Sequence, residues 1–174
     1  MNKTFALLCT TCAISLVACG QTSHPTTGSS PSASQAVTLQ TMSSQGAGAA
    51  RPLDAGAIVA AKPTGQPCSF DSDPHVTPGK PQVFKGWLLG PSRKPAGAFT
   101  LVMQGSQTFG IQSTTGATRP DVGKYLGEPA LAAAGFRFTG TLTAIPPGNY
   151  KVELLITRGS EAYVCDTGKV LIVD

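Results

Sequence analysis

Phe136-Arg137-Phe138-Thr139-Gly140-Thr141-Leu142-Thr143-Ala144 is the stretch that decides the fold. Phe136, Phe138, Leu142 and Ala144 fall on one side of a two-residue period; Arg137, Thr139, Thr141 and Thr143 fall on the other. A period of two fits a strand with one buried and one solvated face. Tyr150-Lys151-Val152-Glu153-Leu154-Leu155-Ile156 repeats the pattern, with Tyr150, Val152, Leu154 and Ile156 inward, and Phe99, Leu101 and Met103 do the same earlier. Seven strands are expected, at 83–89, 98–104, 107–113, 136–144, 150–157, 161–165 and 169–173. Turn signals separate them: Gly90-Pro91-Ser92, Gly105-Ser106, Pro146-Pro147-Gly148-Asn149, Gly159-Ser160 and Asp166-Thr167-Gly168. Short alternating strands joined by Gly/Pro turns predict an all-β, antiparallel sandwich or barrel.

One interval departs from this period. Arg119-Pro120-Asp121-Val122-Gly123-Lys124-Tyr125-Leu126, then Glu128-Pro129-Ala130-Leu131-Ala132-Ala133-Ala134, reads as a short helical insertion near 120–134. Asp121 is expected to cap its first turn and Pro129 to open the second. The insertion should join the two sheets across one end of the sandwich.

Ile145-Pro146-Pro147-Gly148-Asn149-Tyr150, running into a strand, resembles the leucine-Pro-x-Gly-x-Tyr corner that precedes a late strand in many bacterial Ig-like domains. Arg119-Pro120-Asp121-Val122, followed later by Gly135-Phe136, is similar to a recurring element of bacterial envelope and surface-glycan-associated β-domains. The resemblance implies an Ig-like sandwich over 63–174. It implies no particular activity, because this architecture hosts many unrelated roles.

Upstream, the composition changes. From Gly20 to about Lys62 the chain is Ser, Thr, Gly, Ala, Gln and Pro, nearly without charge and without an aromatic residue. Val37, Leu39 and Met42 are the only sizeable apolar side chains before Leu53. Too little apolar surface is present to offset the entropy of ordering, so 19–62 is expected to be a disordered stalk. As a flexible coil it would reach roughly 35–40 Å root-mean-square. His24 lies within it as a solvated histidine, and Ala55 to Ala61 is a weak apolar patch compatible with a short strand or helix.

The first residues read as an export signal. Met1-Asn2-Lys3 is a short positive start, and Phe5 to Ala18 is apolar or small and too short to span a bilayer as a helix. The run ends in Leu16-Val17-Ala18-Cys19, which resembles the lipobox of bacterial lipoproteins. That resemblance implies a signal peptide over 1–18, cleavage before Cys19, and acylation of Cys19 with two or three chains such as palmitate. Two or more chains give stable anchoring where one does not. Gly20 stands where enteric lipoproteins retained at the inner membrane carry aspartate, so the resemblance implies an outer-membrane location. The folded domain would sit in the periplasm or at the cell surface. Cys9 and Cys12 would leave with the signal.

Cys68 and Cys165 then remain besides the anchor. In an oxidising compartment such a pair is expected to form a disulfide, the alternative being free or metal-binding thiols. The chain-entropy account of a loop this long gives about 4–5 kcal/mol. That contribution is large for a domain of only modest core size.

Little in the sequence points to chemistry. The chain carries a formal charge of +4, and its basic residues are scattered singly, with no Lys/Arg run and no aromatic interleaving; nucleic acid is not an expected partner. His75 is the domain's only histidine and no Gly-x-Ser-x-Gly element accompanies it. Asp71-Ser72-Asp73-Pro74-His75 could bind a cation through Asp71, Asp73 and His75, or be ordinary turn chemistry, which is the favoured reading. Asp121, Glu128, Glu153, Glu161 and Asp166 lie in separate segments with no marked acid–base pair. Arg119 could grip a ligand hydroxyl or carboxylate, against a structural role beside Asp121. Trp87 could stack a sugar, against a place in the core, and Tyr125 and Tyr163 could be exposed contacts. No cofactor is expected and no enzymatic activity.

The expected function is that of a lipid-anchored envelope lipoprotein whose sandwich binds another envelope component, a protein assembly partner in preference to a surface glycan. Two alternatives remain: an inhibitor or immunity-type lipoprotein that blocks a periplasmic enzyme, and a metal-dependent hydrolase centred on the Asp71/Asp73/His75 loop.

Overall fold

In the computed structural model, residues 48–174 are described. The expected signal peptide, Cys19, His24 and the stalk up to residue 47 lie outside them. The described chain is an all-β sandwich of two sheets, with three short helical segments. Five strands are only two or three residues long: β1 (Gly48–Ala49), β2 (Arg51–Pro52), β3 (Lys62–Pro63), β4 (Cys68–Phe70) and β5 (His75–Val76). Six longer ones follow: β6 (Pro81–Leu88), β7 (Ala98–Gln104), β8 (Thr108–Thr114), β9 (Gly135–Thr141), β10 (Gly148–Arg158) and β11 (Glu161–Val173). The four-stranded sheet has the order β1-β9-β6-β4, and the seven-stranded sheet the order β2-β8-β7-β10-β11-β3, with β5 also paired to β11. The long strands pair antiparallel, and β1, β3 and β5 join in parallel.

The alternating faces meet between the sheets. Phe84, Phe136 and Leu88 from one side face Leu101, Met103, Tyr150, Val152, Leu154 and Ile156 from the other, all buried. Phe99 and Phe136, 4.9 Å between ring centroids, tie the two layers together, and Phe84 with Phe138, at 5.4 Å, pairs across β6 and β9 within one sheet. Such tilted pairs add modestly to what burial of their area contributes. Gly86 is where the edge strand β4 comes close, since a Cβ there would lie 2.2 Å from the Ser69 carbonyl oxygen.

The buried Tyr150 hydroxyl donates to the Pro146 carbonyl at 2.8 Å, turning the chain into the strand. Burial also raises the Tyr150 pKa, because the phenolate loses its hydration.

Four expectations need correction. β9 ends at Thr141: the chain bends there, Leu142 and Ile145 stay buried, and Ala144 is exposed rather than inward. The two strands expected at 161–165 and 169–173 are one strand, β11, carrying a bulge. Glu153 pairs with Asp166 but Val152 with Lys169, so Thr167 and Gly168 are extra residues. Gly168 takes φ 65° there, and the Thr167 hydroxyl donates to the Val152 carbonyl at 2.6 Å. The third concerns the domain start. Residues 48–62, read from composition as stalk, belong to the fold: β1 pairs β9, β2 pairs β8, α1 (Ala55–Val59) covers part of a sheet, and Ile58 is buried. Composition missed this because a few well-placed apolar residues suffice when a preformed sheet supplies the other side. The fourth is the cap of α2 (Pro120–Tyr125), whose N-cap is Arg119; Asp121 sits within the first turn, its carboxylate engaged by Arg119.

The helical insertion is α2 and a 3-10 turn, α3 (Pro129–Ala134), which opens on Pro129 as expected. It carries the chain from β8 of the seven-stranded sheet to β9 of the four-stranded one.

Cys68 and Cys165 form a disulfide, with an S–S distance of 2.08 Å and a Cα–Cα distance of 6.4 Å. Cys68 lies in the edge strand β4 and Cys165 in β11, so the bridge staples one sheet to the other. Replacing both cysteines by serine should lower the unfolding free energy by about 2–4 kcal/mol. The measurement is urea unfolding of the domain followed by circular dichroism; an unchanged midpoint would mean that the core alone fixes the two sheets.

Candidate functional site

Trp87, Arg119, Asp121 and Asp71 gather at the outer face of the four-stranded sheet, at the end covered by α2 and α3, whereas His75 and Tyr163 belong to the seven-stranded sheet. Trp87 and Leu89 emerge there from the β6 end and pack against Val122, Leu131 and Ala134 of the insertion. Trp87 is 8% exposed, so its ring forms a second small core and offers no face for stacking. The alternation has a reason for this placement: Phe84, Gly86 and Leu88 face the main core, so Trp87 faces out and needs a cover.

Arg119 connects that cover to β4. Its side chain crosses Gly135, where a Cβ would lie 2.5 Å from Arg119 Cγ. The guanidinium then donates from Nε and Nη2 to Asp121, at 2.9 and 2.7 Å, and from Nη1 to Asp71 at 2.8 Å. Forked hydrogen bonds of this kind are the strong form of an ion pair. Hydrogen bonds to Asp121 first, then to Asp71, raise the Arg119 pKa, and Arg119 in turn lowers the Asp121 pKa. With both forks engaged, Arg119 acts here as a structural tie.

Asp71, Asp73 and His75 follow in the next loop and serve separate ends. Asp71 accepts from Arg119 and from the Ser69 hydroxyl. Asp73 accepts the His75 backbone N–H at 2.9 Å, an Asx turn. His75 lies in β5, paired in register with Ile172. Among the described residues no three His, Cys, Asp or Glu side chains are grouped to hold a metal. A shallow depression of about 320 Å³ lies beside the loop, lined by Ser69, Asp71, Ser72, Pro74, Lys169 and Val170. A second, of about 350 Å³, is lined by Asp73, Gln82, Val83, Lys85 and Arg137. Tyr125, at the end of α2, is 78% exposed, with its backbone fixed by the helix and its ring free. Tyr163 packs partly against the core, and its hydroxyl donates to Glu161, which lowers the Glu161 pKa and raises that of Tyr163.

A further polar cluster was not visible in the sequence. Lys151 Nζ donates to Glu153 Oε1 and to Asp166 Oδ2, each at 2.8 Å, on the outer face of β10 and β11. The side chain of Glu153 is 8% exposed, and its second oxygen, Oε2, is buried without a hydrogen-bond partner. Lys151 and Glu153 share a face by the two-residue period, but Asp166 joins them only through the β10–β11 register and its bulge. The two carboxylates raise the Lys151 pKa, Asp166 first, so the amine is held protonated and is unsuited to nucleophilic attack. Asp166 is lowered, chiefly by Lys151 and then by the Gly168 backbone N–H.

No protein-family model, curated protein or solved structure matches this chain. Among the described residues, no helix is long and apolar enough to cross a membrane.

Two outcomes test these assignments. Trp87→Ala should cost about 3–5 kcal/mol of stability, as for a buried core aromatic, whereas Tyr125→Ala should stay within about 0.5 kcal/mol; thermal melts of both variants read the contrast. For Asp166 the folded pKa lies below the unfolded one, so its contribution is full above the unfolded value, about 3.9, and is lost as pH falls through the lower, folded value. Asp166→Asn should therefore flatten the stability loss as pH falls below about 4. Urea midpoints across that range that fall as steeply in the variant as in the parent would count against the assignment.

Proposed function

We propose that this chain is a lipid-anchored lipoprotein of the bacterial cell envelope, whose sandwich binds another envelope component without catalysis. The supporting observation is the Cys68–Cys165 bridge between the sheets. Disulfides persist in exported proteins and are rare in reducing compartments. It agrees with the export reading of Met1 to Ala18 and with the Leu16-Val17-Ala18-Cys19 box. Acylation of Cys19 would place the domain at the outer membrane, with Gly20 behind the anchor.

For the binding role, the support is a rigidly presented surface. Tyr125 projects from α2, which is packed against Trp87 and tied to β4 through Arg119 and Asp71. Exposed tyrosine on a rigid support is a favoured interface contact, since its large ring loses little side-chain entropy on binding. A protein partner is preferred to a glycan: Trp87 is covered and offers no stacking face, which leaves Tyr125 as the exposed aromatic of this surface.

The reading has a direct test in a bacterial host that processes lipoproteins. Labelled palmitate should enter the full-length chain, and Cys19→Ala should abolish both labelling and recovery in the outer-membrane fraction. A photo-crosslinker at position 125 should trap one dominant envelope protein, with the same group at Lys80 as control. A chain that is cleaved and released without label would refute the anchor; equal, diffuse crosslinking at both positions would refute the binding surface.

A further inference from the structure

We propose that residues 48–63 form a releasable strap on the outer face of the seven-stranded sheet, and that the Cys68–Cys165 disulfide sets the limit of its release. The strap begins between the sheets. Gly48 pairs with Gly140 in the four-stranded sheet, and three residues later Arg51 pairs with Gly110 in the other. From there α1 crosses the face of β7 and β10, and Lys62 reaches β11 at Tyr163.

Its attachment differs from that of the core strands. β2 and β3 are two residues long and each contains a proline, Pro52 and Pro63, which can donate no ladder hydrogen bond. Beyond the two-residue ladders with β8 and β11, the backbone bonds at its ends are Leu53 N–H to Thr108 and Thr64 N–H to Val164, both 2.9 Å. The Lys62–Glu161 ion pair is more than half exposed at both partners and adds little. What seats the strap is side-chain fit. Leu53 lies over Gly110, where a Cβ would come within 2.3 Å of Leu53 Cδ1, and Ile58 is 6% exposed against Val102 and Leu155. The outward side of α1 bears Val59, 80% exposed.

The strap also lies outside the covalent loop. The disulfide closes residues 68 to 165, so the segment before Cys68 can leave the sheet while that loop stays shut. Segments with few backbone bonds and limited apolar contact open at lower free energy than the core. Removal would bare Val102, Leu155 and the Gly110 notch. If the chain is held at Cys19, tension on the tether enters the domain through this strap, and this use of release rests on the anchor reading. The release itself does not depend on it.

Hydrogen exchange by mass spectrometry on the oxidised, soluble full-length chain with Cys19 replaced by Ala tests the release apart from the anchor. Amides of 51–64 should exchange at least tenfold faster than those of β10. Leu53→Ala with Ile58→Ala should accelerate the strap tenfold or more and leave β10 unchanged. Pulling the same protein from its two ends should give a first extension of at most roughly 70 Å for residues 48–67 at low force, followed by a long rise in force. Strap amides that exchange in step with β10, or a paired substitution that speeds both equally, would overturn the proposal. So would a single extension event in which strap and sandwich part together.

Discussion

Strand β10 carries apolar side chains on both faces, and most of the remaining structure follows from the need to cover them. Inward, Tyr150, Val152, Leu154 and Ile156 meet the phenylalanines of β6 and β9. Outward, Leu155 lies beside Val102 of β7, and neither can face water without cost. A two-sheet sandwich covers only one side of each sheet. The outer side of the seven-stranded sheet is closed by Leu53 and Ile58 from the N-terminal strap, with Gly110 leaving room for Leu53. The outer side of the four-stranded sheet has the same problem at Trp87, and α2 with α3 covers it. Both coverings come from segments with weak strand character, which is why each includes a short helix.

Legibility in the sequence followed the same division. The inner faces could be read directly, because burial on one side and solvent on the other imposes a two-residue period that Phe136–Phe138 and Tyr150–Ile156 display. The helical insertion was legible because proline and alanine break that period over 120–134. The strap was not. Its three seating residues, Leu53, Ile58 and Ala61, are dilute in small residues, and their partners lie about fifty to a hundred positions away in sequence. Nor was the continuity of β11 legible, since Asp166-Thr167-Gly168 has turn composition yet sits in a bulge that keeps pairing with β10.

The polar residues show a similar limit. Arg119 and Asp121 are two apart, and their pairing was readable; the third member, Asp71, comes from β4's outgoing loop and appears only when the strands are placed. Lys151, Glu153 and Asp166 assemble through a register that no local pattern specifies. Each cluster has one cation between two carboxylates, and each ties a covering or bulged segment to the sheet beneath. Such bridges cost desolvation when buried and contribute little when open. Their value here is positional: they fix where α2 meets β4 and where the β11 bulge sits.

The disulfide divides these coverings into two kinds. α2 and α3 lie within the loop it closes, so separation of the sheets cannot carry them away without breaking a covalent bond or unfolding the core. The strap precedes Cys68 and has no such constraint. A covalent staple placed at Cys68 thus protects the rigid face that carries Tyr125 while leaving the cover of the opposite face outside the covalent loop. The two outer faces therefore differ in mechanical character although both solve the same burial problem. An anchor at the N-terminus would load the yielding face first and spare the face proposed to meet a partner.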